Sequence, residues 1–465
     1  MRDWRRLARG RKVGPLATML CLAVGLLLMP VDRVMAQAVP AGSGDTNPAD
    51  QPLPGQDLGS GLTLNQGVNA INAENESFDR FGLGLAASGG EITNFFGTQT
   101  NQQNATYAQF MADAGVILRT SRTTFFALYQ PQYNVYPQFS EVNNYGQSMF
   151  VNFAHAMTER TAIGWNTTAA RYLSLNQFLP QSLGIGGIGV VVPTLGVQLR
   201  ENSFELTNAA ASLSLRHLYS SQTTFTATLT GAYFLMAPSE VTGANPGISE
   251  RLITGGADLR LEYQWTPRNT VGVEATPIYV YGISPSGHQA AETLQATYQR
   301  QLSATWTARV GAGPFWLQSS YPQFGSSQIT SYAVSASLSR QVRQSQFAVG
   351  YNRALLVNFL EPATVANSFS SNARIPFGRK WILTGAGSYF HEAGSGSYGP
   401  GHFYGGSAQM GYQVTRKMQL FALYSVNAET FPTGVALQTY GFTQNWFGGG
   451  IRFNLGNATA PGGAQ

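Results

Sequence analysis

Between Thr254 and Gly282 the chain reads TGGADLRLEYQWTPRNTVGVEATPIYVYG, and on both sides of WTPRN apolar and polar side chains alternate. Ala257, Leu259, Leu261 and Tyr263 share one parity before the turn, and Val271, Val273, Ala275, Pro277, Tyr279 and Tyr281 continue it afterwards. The other parity carries Asp258, Arg260, Glu262 and Gln264, then Thr270, Gly272, Glu274 and Thr276. A period of two puts these sets on opposite faces of extended strands, and two such arms around a short polar turn make an antiparallel hairpin. Charges of both signs at mid-strand stand where a soluble sandwich would need its second layer. Each arm has about the ten residues that a tilted strand needs to cross hydrocarbon. The odd face is therefore expected to meet lipid.

The same alternation recurs from about Phe81 to Leu455. Phe225, Ala227, Leu229, Tyr233 and Leu235 alternate with Thr224, Thr226, Thr228 and Thr230. Tyr332, Val334, Ala336 and Leu338 alternate with Ser331, Ser335, Ser337 and Ser339. Tight turns are expected at 119–122, 158–160, 219–222, 266–269, 303–304, 340–343, 378–380 and 415–417. Longer connections rich in Gly, Pro, Ser and Asn are expected at 89–106, 136–144, 174–203, 237–249, 284–289, 319–327, 358–364, 394–401 and 430–439. Eight hairpins plus a first strand near 81–88 and a last one at 441–455 predict eighteen strands, or sixteen if the first segment is irregular. An all-β, transmembrane antiparallel barrel follows, because an open sheet edge would leave backbone groups unsatisfied in hydrocarbon. Trp165, Tyr219, Trp265, Trp306, Phe377 and Trp381 lie near the short turns, where an interfacial aromatic girdle belongs. Two arginines break the parity rule. Arg300 is close enough to a turn to snorkel, and Arg353 requires either a rim position or a bulge.

The ends differ from this pattern. Residues 1–36 combine basic MRDWRRLARGRK, an apolar middle and the small-residue cleavage site Val34-Met35-Ala36, which predicts a secretory signal peptide. Ala8 and Gly10 do not extend Arg5-Arg6 into a twin-arginine pattern, and Leu20 before Cys21 is too large for a lipobox. A chain cut after Ala36 has no cysteine, so backbone pairing must replace disulfides. The segment 1–36 carries seven basic residues and two acids, so the net charge of +5 belongs to the uncut chain and the mature chain is neutral. Residues 37–79 hold six acids and no basic residue and are rich in Pro and Gly, which predicts a flexible periplasmic tether with a short helix over 62–76. The barrel, 80–455, is then mildly cationic, with Lys and Arg too sparse for nucleic acid, and 456–465 form a C-terminal tail. No apolar run of about eighteen residues occurs beyond the N-terminus, which argues against helical spans.

On these residues the chain resembles the outer-membrane porin-like β-barrel superfamily over roughly residues 80 to 455. Its last strand, GFTQNWFGGGIRFNL, is similar to the C-terminal strand by which such barrels are recognised for insertion, with Phe447, Ile451, Phe453 and Leu455 on one face. Ten further residues follow, whereas the family commonly ends on an aromatic. The resemblance implies the outer membrane of a Gram-negative-type bacterium, and periplasmic chaperones and barrel-assembly machinery as folding partners. It also implies a diffusion channel for small polar solutes or saccharides, or the outer-membrane part of an exopolysaccharide export or secretion system.

No chemistry stands out. Gly184–Gly189 and Gly394–Gly399 match G-x-G-x-x-G literally, but neither opens a helix in a βαβ unit, so no nucleotide cofactor is expected. His155, His217, His288, His391 and His402 lack metal-ligand spacing, His391-Glu392 with His402 coming nearest to a site. A barrel hydrolase would need a Ser, His and acid set that no spacing singles out. The even parity instead predicts a hydroxyl- and amide-rich lumen with few charges, among them Asp113, Arg216, Asp258, Arg260, Glu262, Glu274 and Arg309. Mixed, sparse charge favours neutral polar solutes. The connection 174–203 is apolar at its centre, with Ile185, Ile188, Val190, Val191 and Val192. Either it folds inward as a constriction loop or it extends the two flanking strands.

Overall fold

The computed structural model describes residues 81–95, 102–140, 143–174, 181–185, 188–192, 204–238, 250–284, 286–322, 325–342, 345–356, 364–378, 380–392, 401–415, 417–432 and 439–454. All belong to one unit, Asn47–Gln465. The predicted signal peptide, tether and C-terminal tail lie outside the described residues.

Strands β1 (Phe81–Thr93), β2 (Ala105–Arg119), β3 (Thr123–Val135), β4 (Asn144–Ala156) and β5 (Thr161–Ser174) are followed by a small hairpin, β6 (Gln181–Ile185) and β7 (Ile188–Val192). The wall resumes with β8 (Phe204–Leu218), β9 (Thr223–Pro238), β10 (Glu250–Thr266), β11 (Asn269–Ser284), β12 (Ser286–Gln301) and β13 (Trp306–Tyr321). It is completed by β14 (Gly325–Val342), β15 (Ser345–Leu356), β16 (Thr364–Phe377), β17 (Trp381–Glu392), β18 (Gly401–Thr415), β19 (Met418–Pro432) and β20 (Thr439–Asn454). Each wall strand pairs antiparallel with its neighbours in sequence, β5 meets β8 across the small hairpin, and β1 pairs with β20. The eighteen wall strands thus form one sheet closed on itself, which removes every edge.

Four of the short turns share one device. A Thr or Ser hydroxyl at the start of the turn accepts from the backbone N–H groups two and three residues on. Thr120 does so from Arg122 and Thr123, Thr158 from Arg160 and Thr161, Ser220 from Gln222 and Thr223, and Ser303 from Thr305 and Trp306. Such side-chain bonds favour a turn over continued ladder pairing. Gly378 serves the same end differently, with φ at 65° in the left-handed region. On the opposite side two expected long connections are absent. The segment 284–289 shrinks to residue 285 between β11 and β12, and 319–327 shrinks to residues 322–324 between β13 and β14. Polar residues there mark strand ends that leave hydrocarbon, where the inside-outside contrast fades while the ladder continues.

Burial follows the two faces of the sheet. Leu213, Leu229, Leu261, Val273, Val310, Phe369, Met410 and Phe447 are exposed on the outside, whereas the inward face buries Thr226, Thr228, Asp258, Thr276, Gln289, Gln295 and Gln444, together with the apolar Phe234, Ile278, Val280, Phe315 and Leu317 toward the long-connection end. An apolar exterior around a polar interior is the solution that lipid demands. Trp165, Tyr219, Trp265, Phe377 and Trp381 are exposed toward the short-turn end, and Trp306 lies under the Arg340 guanidinium at 5.2 Å. The ladder with β14 reaches Arg353 as its last pair and the ladder with β16 runs through it, both without a register shift, so no bulge reverses it and its side chain is on the outward parity. Arg300 is outward too, opposite Asn269 beside the turn after β10.

Candidate functional site

The inward faces of β10, β11 and β13 bring together five of the predicted wall charges. Arg260 stands between Asp258 at 2.7 Å and Glu274 at 3.3 Å, and Arg309 reaches Glu274 at 3.1 Å and Glu262 at 3.5 Å. Alternation puts Asp258, Arg260 and Glu262 on one side of β10, and the ladder sets Glu274 directly opposite Arg260. Arg309 meets Glu274 across the intervening β12 because Gly272 and Gly311 leave space. A Cβ at Gly311 would stand 2.8 Å from the Gln295 side-chain oxygen, and one at Gly272 would stand 2.9 Å from the Thr297 hydroxyl. Exposure rises from 2% at Asp258 to 26% at Arg309, so Asp258 depends on its Arg260 partner whereas Glu262 and Arg309 keep access to water. Three carboxylates against two guanidiniums leave this part of the wall one negative charge.

Asp113 does not join that cluster. It lies on β2 with none of its surface exposed, bonded to Arg452 of β20 and accepting at 2.7 Å from the Gln130 amide. The pair reaches across β1, whose inward residue at that level is Gly84, and a Cβ there would stand 3.0 Å from the Asp113 Oδ2. Higher on the same seam Tyr107, opposite Gly90, and Trp446, opposite Ile92, meet over β1 with ring centroids 5.5 Å apart. A Cβ on Gly90 would collide with the Phe447 carbonyl oxygen, and one on Gly448 with the Tyr107 hydroxyl. The first strand is thus kept small inside so that its two neighbours can clasp over it, one clasp ionic and one aromatic.

The aromatic clasp continues into the connections. Phe95 packs on Tyr136 at 4.9 Å and stacks on Phe139 at 5.1 Å, in one buried cluster with Ile92, Tyr107 and Trp446. Gln444 donates to the Phe95 carbonyl at 2.9 Å and accepts from the Trp446 indole at 3.0 Å, which ties the start of the β1–β2 connection to the last strand. Burial, reinforced by Tyr107, holds the Tyr136 phenol above its ordinary ionisation range. One side of the long-connection end is therefore filled with rings.

Arg216 falls on the inward parity of β8, opposite Thr226, which is in turn opposite Arg260 of β10. The side chains of Ile185, Ile188, Val190, Val191 and Val192 lie outside the described residues. Their backbone forms the β6–β7 hairpin, which is separate from the wall sheet, so it does not lengthen β5 and β8 as one ladder. Arg452, Gln130, Gln444 and the Phe95 cluster were not among the expected lumen residues. Parity alone could have found Arg452, which alternates with Ile451 and Phe453, but pairing with Asp113 requires knowing that the ends of the chain meet.

Fold and interior together define a closed, eighteen-stranded antiparallel barrel with an apolar outer surface and an inner face on which paired charges and polar side chains predominate at mid-wall. No protein-family model and no curated protein matches the chain. Among solved structures it is similar to the FrpB iron transporter from Neisseria meningitidis (F3-3 variant), at 8% identity and a TM-score of 0.45, covering 83% of each chain. It is similar to the ferric citrate transporter FecA in its unliganded form, at 9% identity and a TM-score of 0.42 over 81% of this chain and 78% of that one. OccK2 (OpdF) of Pseudomonas aeruginosa gives 12% identity and a TM-score of 0.41 over 81% of this chain and 99% of that one.

Proposed function

We propose that the protein is an outer-membrane channel through which small polar or neutral solutes diffuse passively. The observation that carries this reading is the two-faced wall of a closed barrel: lipid-compatible side chains outside, and inside, at mid-wall, hydroxyls and amides around the Asp258, Arg260, Glu262, Glu274 and Arg309 cluster, with apolar residues confined toward the long-connection end. Paired wall charges neither repel nor trap a neutral solute and give ions little preference. The small hairpin is the proposed constriction. Its strand β7 lies against β15, far round the wall from the anchoring strands β5 and β8, and this supports an inward course.

Planar bilayers test the proposal. The purified barrel is expected to give stepwise ohmic conductance with weak ion preference, and liposomes containing it should swell in neutral sugars. Arg260→Gln leaves three carboxylates with one guanidinium, so its reversal potential in a salt gradient should shift toward cations. A folded barrel that is silent, and conducts only after residues 181–192 are deleted, would reject passive diffusion and favour a gated exporter of polysaccharide.

A further inference from the structure

Arg353 places a positive charge on the face that meets lipid, and ladder pairing continues it into a row. Arg353 is opposite Asn367, Asn367 opposite His391, His391 opposite His402, and His402 opposite Thr430, so one polar line runs over β15 to β19 on the outward parity. Two residues nearer mid-strand, about 7 Å along the sheet, the matching line reads Tyr351, Phe369, Tyr389 and Tyr404. An aromatic line with a polar line just beyond it, headed by one guanidinium, is the order met on leaving hydrocarbon for a headgroup layer.

The row is built. The Arg353 guanidinium lies 4.4 Å over the ring of Tyr332, which is 56% exposed, and donates to the Asn367 side-chain oxygen at 3.3 Å. Tyr351 donates to that same oxygen at 2.8 Å. His391 and His402 stack at 4.5 Å, and the Tyr389 hydroxyl is 3.0 Å from the His402 Nδ1. These contacts fix the side chains but neutralise nothing. Among the described residues no carboxylate is within ion-pair distance of Arg353, and no acid stands at an outward position of β15, β16, β17 or β18. The positive sign is local, since Glu91 and Glu292 take outward positions on β1 and β12.

We propose that Arg353, Asn367, His391 and His402, above the aromatic line, form a site for the phosphate-bearing headgroup of a membrane lipid. A planar guanidinium held on a tyrosine ring is suited to phosphate oxygens, and the aromatic line below receives the start of the acyl chains. The site rests on the reading that this surface faces lipid.

Native mass spectrometry of the detergent-folded barrel tests it, with phosphatidic acid, phosphatidylcholine and inorganic phosphate as probes. Phosphatidic acid should be retained in preference to phosphatidylcholine. Arg353→Gln should lower its retention about fivefold, the scale of one basic residue at an anionic headgroup surface. His402→Gln, which leaves Arg353 in place, should lower it by less. Arg340→Gln, at the short-turn end, should not change it. Heat-modifiable migration on gels confirms that each variant is folded. Equal retention by the wild type and both row variants would overturn the site, as would displacement of the lipid by inorganic phosphate at matched concentration, which would mark a free-phosphate site. A barrel that stays soluble and monomeric without detergent would overturn the membrane reading itself.

Discussion

Removing Arg452 should destabilise the barrel at the seam where the two ends of the wall meet. Arg452→Met keeps the length and apolar stem of the side chain and deletes the charge that faces Asp113. The side chains are 7% and 0% exposed, so water cannot replace the lost partner. Breaking a buried pair by removing one member destabilises by about 3–5 kcal/mol. The Gln130 donor stays on the carboxylate at 2.7 Å, which points to the lower end of that range. Urea titration of folding into phosphatidylcholine vesicles, read by heat-modifiable migration, measures the loss. Asp113→Asn combined with Arg452→Met removes the stranded charge and should recover at least half of it, because most of the penalty belongs to an unpaired buried carboxylate rather than to the missing attraction. A loss below about 1 kcal/mol, the scale of an exposed pair, would refute the reasoning. So would a double variant no more stable than Arg452→Met alone.

Two further outcomes follow from the same geometry. Leu229 is exposed on the outward face of β9, and Leu229→Arg should weaken folding into vesicles by about 2–4 kcal/mol, whereas Thr228→Ser on the inward face should change it little; equal tolerance would contradict the assigned faces. Gly90→Ala drives a methyl into backbone at the seam and should lower stability by about 1–3 kcal/mol in the same titration, while Gly255→Ala, with nothing within 4 Å of the new atom, should be nearly silent.

What the sequence determined by itself was whatever depends on neighbours along the chain. Period-two alternation assigns each side chain of a strand to one face, so the lipid face, the inward set from Asp258 to Glu274 and the places of the short turns were legible, although the turn expected at 340–343 came too early, since β14 continues to Val342 and residues 343–344 lie outside the described ones. Closure followed from the cost of an unpaired edge in hydrocarbon, while the count of eighteen, with sixteen as the alternative, came from eight hairpins plus a first and a last strand. Strand ends were less legible, because beyond the apolar band a polar residue continues a ladder as readily as it begins a loop; the segments at 284–289 and 319–327 show this. Only the tertiary structure decided which charges meet. Arg309 finds Glu274 across an intervening strand because two glycines make room, and Asp113 finds Arg452 because closure brings β2 and β20 to either side of β1. The row from Arg353 to His402 is hidden for the same reason: its members are neighbours in the hydrogen-bonding direction, and that direction is fixed by register, which alternation within a single strand does not specify.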